Sequence, residues 1–530
     1  MTFTLLLVAF VIIACILCNK LSTKVGIPML FAFILLGMFF GSDGLFHIEF
    51  ENFKFVEQFC TIALIFIIFY GGFGTNWKEA QKIAKRSLFL SSIGVILTAF
   101  FVGFFCHFIL KIQLYEGLLI GAVLGSTDAA SVFSLLRSKK LNLKDGTASM
   151  LELESGSNDP WAYMMTILLL DMISHPVKIT SILSTLFSQV FFGALFGILV
   201  SFIALFVLTR FQFDNEGFDS IFLVAIALLS YALPTYLGGN GYLSAYIVGI
   251  VLGNQKIPNK KALVHFFDGA TGLMQMFIFF LLGLLAFPSQ MKTIIGPAIL
   301  IFLFLSFIAR PAAVFLILSP FRAKISQQLM VSWAGLRGAT SIVFAIMVRV
   351  SSAYTKYDVF HIAFCIVLLS IGIQGTLLPW VAKKLQMIDD SENVMKTFND
   401  YSNETKVSFL RTQVTNQHPW ANQEIKTILL PPDVRIAVIF RKGNKIIPKG
   451  NTCIEDGDEI ILSTTKYTEE QSVELYELPI DKGHEWCNKK ISELSLPHSV
   501  IVFVKRKDEV VLPSGEVIIK ADDTLVILDD

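Results

Sequence analysis

This sequence is short of charge. Only 16% of its 530 residues are Asp, Glu, Lys or Arg, against about a quarter in an ordinary soluble domain, and that excludes a soluble single-domain enzyme. No basic run offers a surface for nucleic acid. No phosphate-binding loop or other nucleotide-hydrolysis motif occurs, so nothing suggests a primary pump. The seven cysteines, at 15, 18, 60, 106, 365, 453 and 487, are scattered and odd in number, which gives no disulfide framework. Cys15 and Cys18 form a C-x-x-C inside an apolar stretch without other ligands near it, where apolar filler is the plainer reading. Neither enzymatic activity nor a resident cofactor is implied.

What is present is apolar and unevenly spread. Residues 1–384 hold 26 Lys and Arg against 17 Asp and Glu, whereas residues 385–530 hold 17 against 25. A long, charge-poor, basic part therefore precedes a short, charge-rich, acidic one. The first part contains thirteen stretches suited to crossing about 30 Å of hydrocarbon. They lie near 2–18, 27–41, 58–75, 87–110, 117–137, 147–174, 180–209, 217–236, 240–254, 266–287, 293–318, 328–349 and 359–382. The first lacks a basic flank and a small-residue cleavage site, so it reads as a retained helix rather than a signal peptide. With the N-terminus outside, the inner loops and flanks carry 18 Lys and Arg and the outer ones 6. The positive-inside rule then places the acidic tail in the cytoplasm.

The chemistry resides in the few charges buried in these stretches, because each costs several kcal/mol in mid-bilayer. In the fifth, GSTDAA sets Thr127 and Asp128 in an apolar helix after Gly121, Gly125 and Ser126. Local unwinding there frees backbone carbonyls beside the Asp128 carboxylate, the device by which broken transporter helices bind cations. An Asp128 that caps a short following helix fits the same residues. In the sixth, LELESGSNDP carries Glu152, Glu154 and Asp159 with Ser155 and Asn158 between them. Glu154 and Asn158 share a helix face. Pro160 deprives the Gly156 carbonyl of its helical partner, and Gly156 leaves room for an ion or for a neighbouring helix. A carboxylate in that position holds a proton or a cation but not both, which is the competition an antiporter needs. Glu152 fits an interfacial position equally well. In the twelfth, WAGLRGA buries Arg337 between Gly335 and Gly338. A guanidinium in hydrocarbon needs a carboxylate, and Glu154 is the expected partner. The weak helix formers around Arg337 match those around Asp128, which points to a second interrupted helix in an inverted repeat. Arg310, before Pro311, reads as structural.

In this order, GSTDAA, LELESGSNDP and WAGLRGA resemble the NhaP-like branch of the monovalent cation/proton antiporters, over residues 1–384. The resemblance implies a homodimer of thirteen-helix protomers with crossed, interrupted helices and an elevator-like core. It implies that Asp159 is the shared proton and cation site. Asp128, Thr127, Ser155 and Asn158 complete the cation shell, and Glu154 pairs with Arg337. Asn158 stands where electrogenic relatives carry a second acid, which implies electroneutral exchange of K⁺ or Na⁺ for H⁺. Ala129 and Ala130 depart from the proline many relatives have after Asp128.

Residues 385–403 read as a linker, followed by an internal repeat. IAVIFRKGNKIIPKG at Ile436 returns as IVFVKRKDEVVLPSG at Ile501, an offset of 65, and each copy is followed by an acidic turn and an apolar strand. Alternating apolar residues between Gly, Pro and Asp predict strands and tight turns. The pattern resembles the C-terminal lobe of RCK (TrkA-C-like) domains, in two copies over 404–466 and 470–530, without a nucleotide-binding Rossmann lobe. Such lobes imply regulation by a small ligand, in some cases cyclic di-AMP; a purely dimerising tail is the other reading. For the whole chain, a ligand-gated cation channel is the alternative, disfavoured by the missing filter sequence and the buried acids.

Overall fold

The computed structural model describes residues 2–25, 28–75, 77–81, 83–128, 131–132, 136, 141, 143–175, 178–211, 216–255, 257–353, 355–389, 407–416, 418–441, 444–465, 475–494, 499–506 and 509–529. The chain forms two compact units, Met1–Glu392 and Asn393–Asp530.

The first unit is helical. In chain order it comprises α1 (Thr2–Val25), α2 (Met29–Phe40), α3 (Phe53–Gly74), α4 (Trp77–Ala80), α5 (Ala84–Ser91), α6 (Ile93–Phe108) and α7 (Leu114–Val123). Then come α8 (Thr147–Ser174), α9 (Ile179–Arg210), α10 (Glu216–Tyr236), α11 (Gly241–Gly253), α12 (Lys260–Leu284) and α13 (Ile295–Phe304). It closes with α14 (Arg310–Leu318), α15 (Ile325–Trp333), α16 (Ala339–Val350), α17 (Val359–Leu369) and α18 (Thr376–Lys384). Two π-helical segments, Leu305–Ala309 and Ser370–Gly375, carry α13 into α14 and α17 into α18.

Among the described residues, seven helical runs are long and apolar enough to cross a membrane, and five shorter apolar helices accompany them. The 28-residue α8 is long enough but carries the acids singled out above. Helix starts follow local chemistry. Asn52, Asn240 and Asp358 each accept the backbone N–H three residues on, capping α3, α11 and α17 at 3.0, 3.0 and 3.1 Å. In lipid, close packing replaces the hydrophobic drive between helices. Accordingly α2 and α12 meet at Gly37 and Gly283, where an added Cβ would sit 2.1 and 2.2 Å from the opposing backbone.

The fifth and twelfth stretches are interrupted. After α7 the chain turns at Leu124 and Gly125 and runs without regular structure through Ser126–Asp128, with helix again at Ser131 and Val132. Between α15 and α16 it runs irregularly through Gly335–Gly338. The Ala129–Ala130 departure lies outside the described residues.

The second unit holds two four-stranded antiparallel sheets. The strands are β1 (Val407–Gln413), β2 (Arg435–Arg441), β3 (Asn444–Ile446), β4 (Glu459–Thr465), β5 (Leu475–Pro479), β6 (Ser499–Arg506), β7 (Glu509–Val511) and β8 (Asp523–Asp529). Sheet orders are β1-β4-β2-β3 and β5-β8-β6-β7, the same arrangement twice. The offset of 65 extends to fine detail. Bulges fall between Ile436 and Val438 and between Ile501 and Phe503. Arg441 holds Asp458 through two hydrogen bonds of 2.8 Å, and Arg506 holds Asp523 at 2.8 and 2.7 Å. Each guanidinium also donates to a carbonyl, that of Cys453 or Ile518. Ile439, Ile454 and Ile460 in one core are matched by Val504, Ile519 and Leu525 in the other.

Candidate functional site

The two interruptions meet, and each supplies hydrogen-bonding groups that the other has lost. The Asp128 backbone N–H donates to the Leu336 carbonyl at 2.8 Å. In return the Arg337 Nη1 donates to the Ser126 carbonyl at 2.8 Å. The approach is so close that a Cβ on Gly338 would lie 2.4 Å from the Asp128 Cβ. Irregular backbone at membrane depth is tolerated only with partners of this kind. Asp128 also accepts from the Ser131 backbone N–H at 3.2 Å and from its hydroxyl at 2.5 Å. It therefore caps the helix that resumes at Ser131 as well as standing at the break.

Asp159 on α8 faces this crossing and is 8% exposed. The Ser126 hydroxyl, from the first break, donates to Asp159 Oδ1. The Thr340 hydroxyl, from the first turn of α16, donates to Oδ2 at 3.4 Å. The carboxylate is thus held from both interrupted segments. Thr127 is joined to α8 twice: Ser155 Oγ donates to its carbonyl and Asn158 Nδ2 to its hydroxyl, both at 2.6 Å. The Asn158 Oδ1 is buried without a hydrogen-bond partner, leaving one oxygen of the cluster open to a ligand. Asp159, Asp128, Thr127, Ser155 and Asn158 thus come together in one place. Ser126, marked in the sequence as part of the break and not as a ligand, and Thr340, not marked at all, join them. Ser126 lies inside GSTDAA and Thr340 directly follows WAGLRGA, and the signal of each was a hydroxyl beside a predicted break.

Helix α8 runs unbroken through Pro160. The space at Gly156 goes to a neighbouring helix: a Cβ there would meet the Tyr246 ring at 2.6 Å. The Pro160 carbonyl accepts from the Asn240 side chain at 2.8 Å, which ties α8 to the start of α11.

The expected Glu154–Arg337 pair is corrected. Glu154 lies 2.6 Å from Arg310 Nη2, with both side chains buried, although the two are not aligned as a hydrogen bond. The reason is geometric. Arg310 begins α14 directly after a π-helical segment and lies against Gly335, where a Cβ would be 2.7 Å from its Nε. Arg337 instead donates to the Ser126 carbonyl, while Ser370 Oγ accepts its backbone N–H at 3.0 Å. Arg310, read from the sequence as structural, is thus the direct partner of Glu154. Glu152 is exposed.

Residues 6–384 match the family described as sodium/hydrogen exchanger, transmembrane. The chain belongs to the sodium/hydrogen exchanger family. Membership makes it a cation/proton antiporter. Residues 411–469 and 475–528 of the exchanger each match the TrkA-C domain. The exchanger is 31% identical over 464 residues to the K(+)/H(+) antiporter NhaP of Alkalimonas amylolytica, covering 87% of this chain and 80% of that one. It is 31% identical over 499 residues to the K(+)/H(+) antiporter NhaP2 of Shewanella sp. (strain ANA-3), covering 91% and 86%. Its fold is similar to that of the sodium proton antiporter MjNhaP1 from Methanocaldococcus jannaschii, with a TM-score of 0.63 and 24% identity over 72% of this chain and 99% of that one.

Proposed function

We propose that the protein exchanges K⁺ for H⁺, one for one, across the cytoplasmic membrane. The observation that carries this reading is the Asp159 carboxylate, buried and held by hydroxyls from both interrupted segments. A carboxylate there takes either a proton or a cation, so the two substrates exclude each other. Asp128, the Thr127 backbone, Ser155 and the open Asn158 oxygen complete the shell for a dehydrated cation. With Asn158 in place of a second acid, loading a monovalent cation against a proton leaves net charge unchanged, and exchange is electroneutral. K⁺ over Na⁺ rests on the potassium/proton relatives and on the paired TrkA-C domains. The protein works as a homodimer with its N-terminus outside and its tail in the cytoplasm, and a core carrying the site moves against the remaining helices. The tail regulates exchange through a small ligand, for which cyclic di-AMP is the first to try.

The test is proton flux in proteoliposomes, read by a pH-sensitive dye, with K⁺ or Na⁺ added and membrane potential clamped at zero. Cation-dependent proton movement that persists under the clamp and vanishes in Asp159→Asn supports the reading. Proton movement retained in that variant overturns the site assignment. Cation current without proton movement would favour a gated channel instead.

A further inference from the structure

The π-helical segment between α17 and α18 has two working faces. One looks towards the site. Its Ser370 accepts the Arg337 backbone N–H at 3.0 Å, and its Gln374 carbonyl accepts from the Trp333 indole at 3.1 Å. The other face, with the adjoining ends of α17 and α18, forms one wall of a groove of about 450 Å³. Leu368, Gly372 and Thr376 line that wall, and Phe31, Leu35 and Met38 of α2 line the other. The lining is almost wholly apolar. Its hydroxyl, on Thr376, is already spent on the Gly372 carbonyl at 2.7 Å. The absent side chain at Gly372 makes the room, since a Cβ there would press the Phe31 ring at 3.1 Å.

The helix face that lines the groove continues to a charged end. Steps of four residues along one helix face run from Gly372 through Thr376 and Trp380 to Lys384. Trp380 is 58% exposed, and the Lys384 ammonium lies 4.8 Å from its ring centre. Lys383 beside it is exposed as well. Trp and Lys at the end of an apolar helix mark the headgroup level of a bilayer. Thr376 lies about 12 Å along the helix axis from Lys384, inside a half-bilayer of about 15 Å. The groove is therefore at acyl-chain depth and the lysine pair at phosphate depth.

We propose that this groove is a binding site for an anionic phospholipid of the leaflet on the C-terminal side. One acyl chain fills the space between α2 and the π-helical segment, and the phosphate sits against Lys383 and Lys384. The occupant is a lipid because the groove opens at membrane depth, is lined for hydrocarbon and adjoins a helix face that ends in positive charge. The chain of that lipid packs on the reverse side of the segment that holds Arg337, so occupancy bears on the geometry of the crossing. The site itself stands independently of the cation assignment.

The test is native mass spectrometry of the full-length protein, delipidated and then supplied with phosphatidylglycerol or phosphatidylcholine of matched acyl chains. Wild type should retain phosphatidylglycerol over phosphatidylcholine by roughly thirtyfold, in line with two juxtamembrane lysines. Lys383→Gln with Lys384→Gln should bind both lipids equally. Gly372→Leu should lose both, and Met38→Trp fills the groove from the opposite wall should Gly372→Leu fail to fold. Unchanged retention and headgroup preference in these variants overturns the proposal. So does a groove-filling variant that alters only the dimer fraction, because the groove would then be covered by a second copy of the chain.

Discussion

The backbone N–H of Asp128 donates to the carbonyl of Leu336 at 2.8 Å, across two helices that both lose their regular hydrogen bonding at that point. The contact leaves no room for a side chain at Gly338. Gly338→Ala should therefore push the two breaks apart, with a cost of about 1–3 kcal/mol as in other overpacked sites. Thermal unfolding in detergent should show the loss of stability. Exchange should fall by at least tenfold in the fraction that still folds, and a variant with wild-type melting and flux would refute the closeness of the crossing.

Removing Arg310 should be worse than its place outside the three motifs suggests. Arg310→Met strands the buried Glu154 carboxylate, and breaking a buried pair in this way costs about 3–5 kcal/mol. Adding Glu154→Gln should restore much of the lost stability. The same second change should do little for Arg337→Ala, whose main loss is the Ser126 carbonyl bond. A double-mutant cycle on melting temperature separates the two arginines, and stronger coupling of Glu154 to Arg337 would restore the pairing expected from the sequence.

Ser126→Ala and Thr340→Ala each delete a donor to Asp159. A hydrogen bond to a charged group is worth about 1.5–3 kcal/mol, so each change should raise the apparent KM for the cation by roughly tenfold or more. Ser126 should be the more sensitive, since the Thr340 hydroxyl stands off at 3.4 Å, beyond the usual range for such a bond. Equal and wild-type KM values would show that neither hydroxyl organises the carboxylate.

The tail should weaken in acid in both lobes together. Burial pushes the Asp458 carboxyl up, but the Arg441 guanidinium and the Glu455 backbone N–H outweigh it and hold the group below the ordinary carboxylate range. Asp523 is held down in the same way, against its own burial, by Arg506 and the Lys520 N–H. A carboxyl with a lowered folded-state value stabilises fully above the unfolded value of about 4, and that contribution is lost as pH falls through the folded value. Hydrogen-exchange protection, corrected for the intrinsic rate at each pH, should be high in β2, β4, β6 and β8 at pH 7 and fall below about pH 4. Asp458→Asn should loosen its own sheet at neutral pH and remove that sheet's response to acid. Persistence of the acid response in the variant would assign it to other groups.

Much of this architecture was legible in the sequence because its signals are local. Glycine and serine before Asp128, and glycines around Arg337, mark both breaks, and the repeat beginning at Ile436 and Ile501 marks the paired sheets. The partner of Glu154 was not legible. Two arginines lay within apolar stretches, and the choice between them depends on the π-helical segment before Arg310 and on the carbonyl of Ser126 that engages Arg337. Neither is encoded at short range. Thr340 was missed for a similar reason: a threonine in the first turn of a helix is ordinary until another helix places a carboxylate beside it. The Gly156 space was legible, but its occupant was not, because Tyr246 comes from a helix some ninety residues later.

The duplicated tail gives each molecule its own reference. The bulges, the arginine clasps and the core positions of the first sheet recur in the second at a fixed offset. A label at a residue of one lobe therefore has a built-in counterpart in the other, in the same buffer and on the same chain. Any difference between the two signals during transport isolates what one copy has acquired since the duplication, with no second protein needed for comparison.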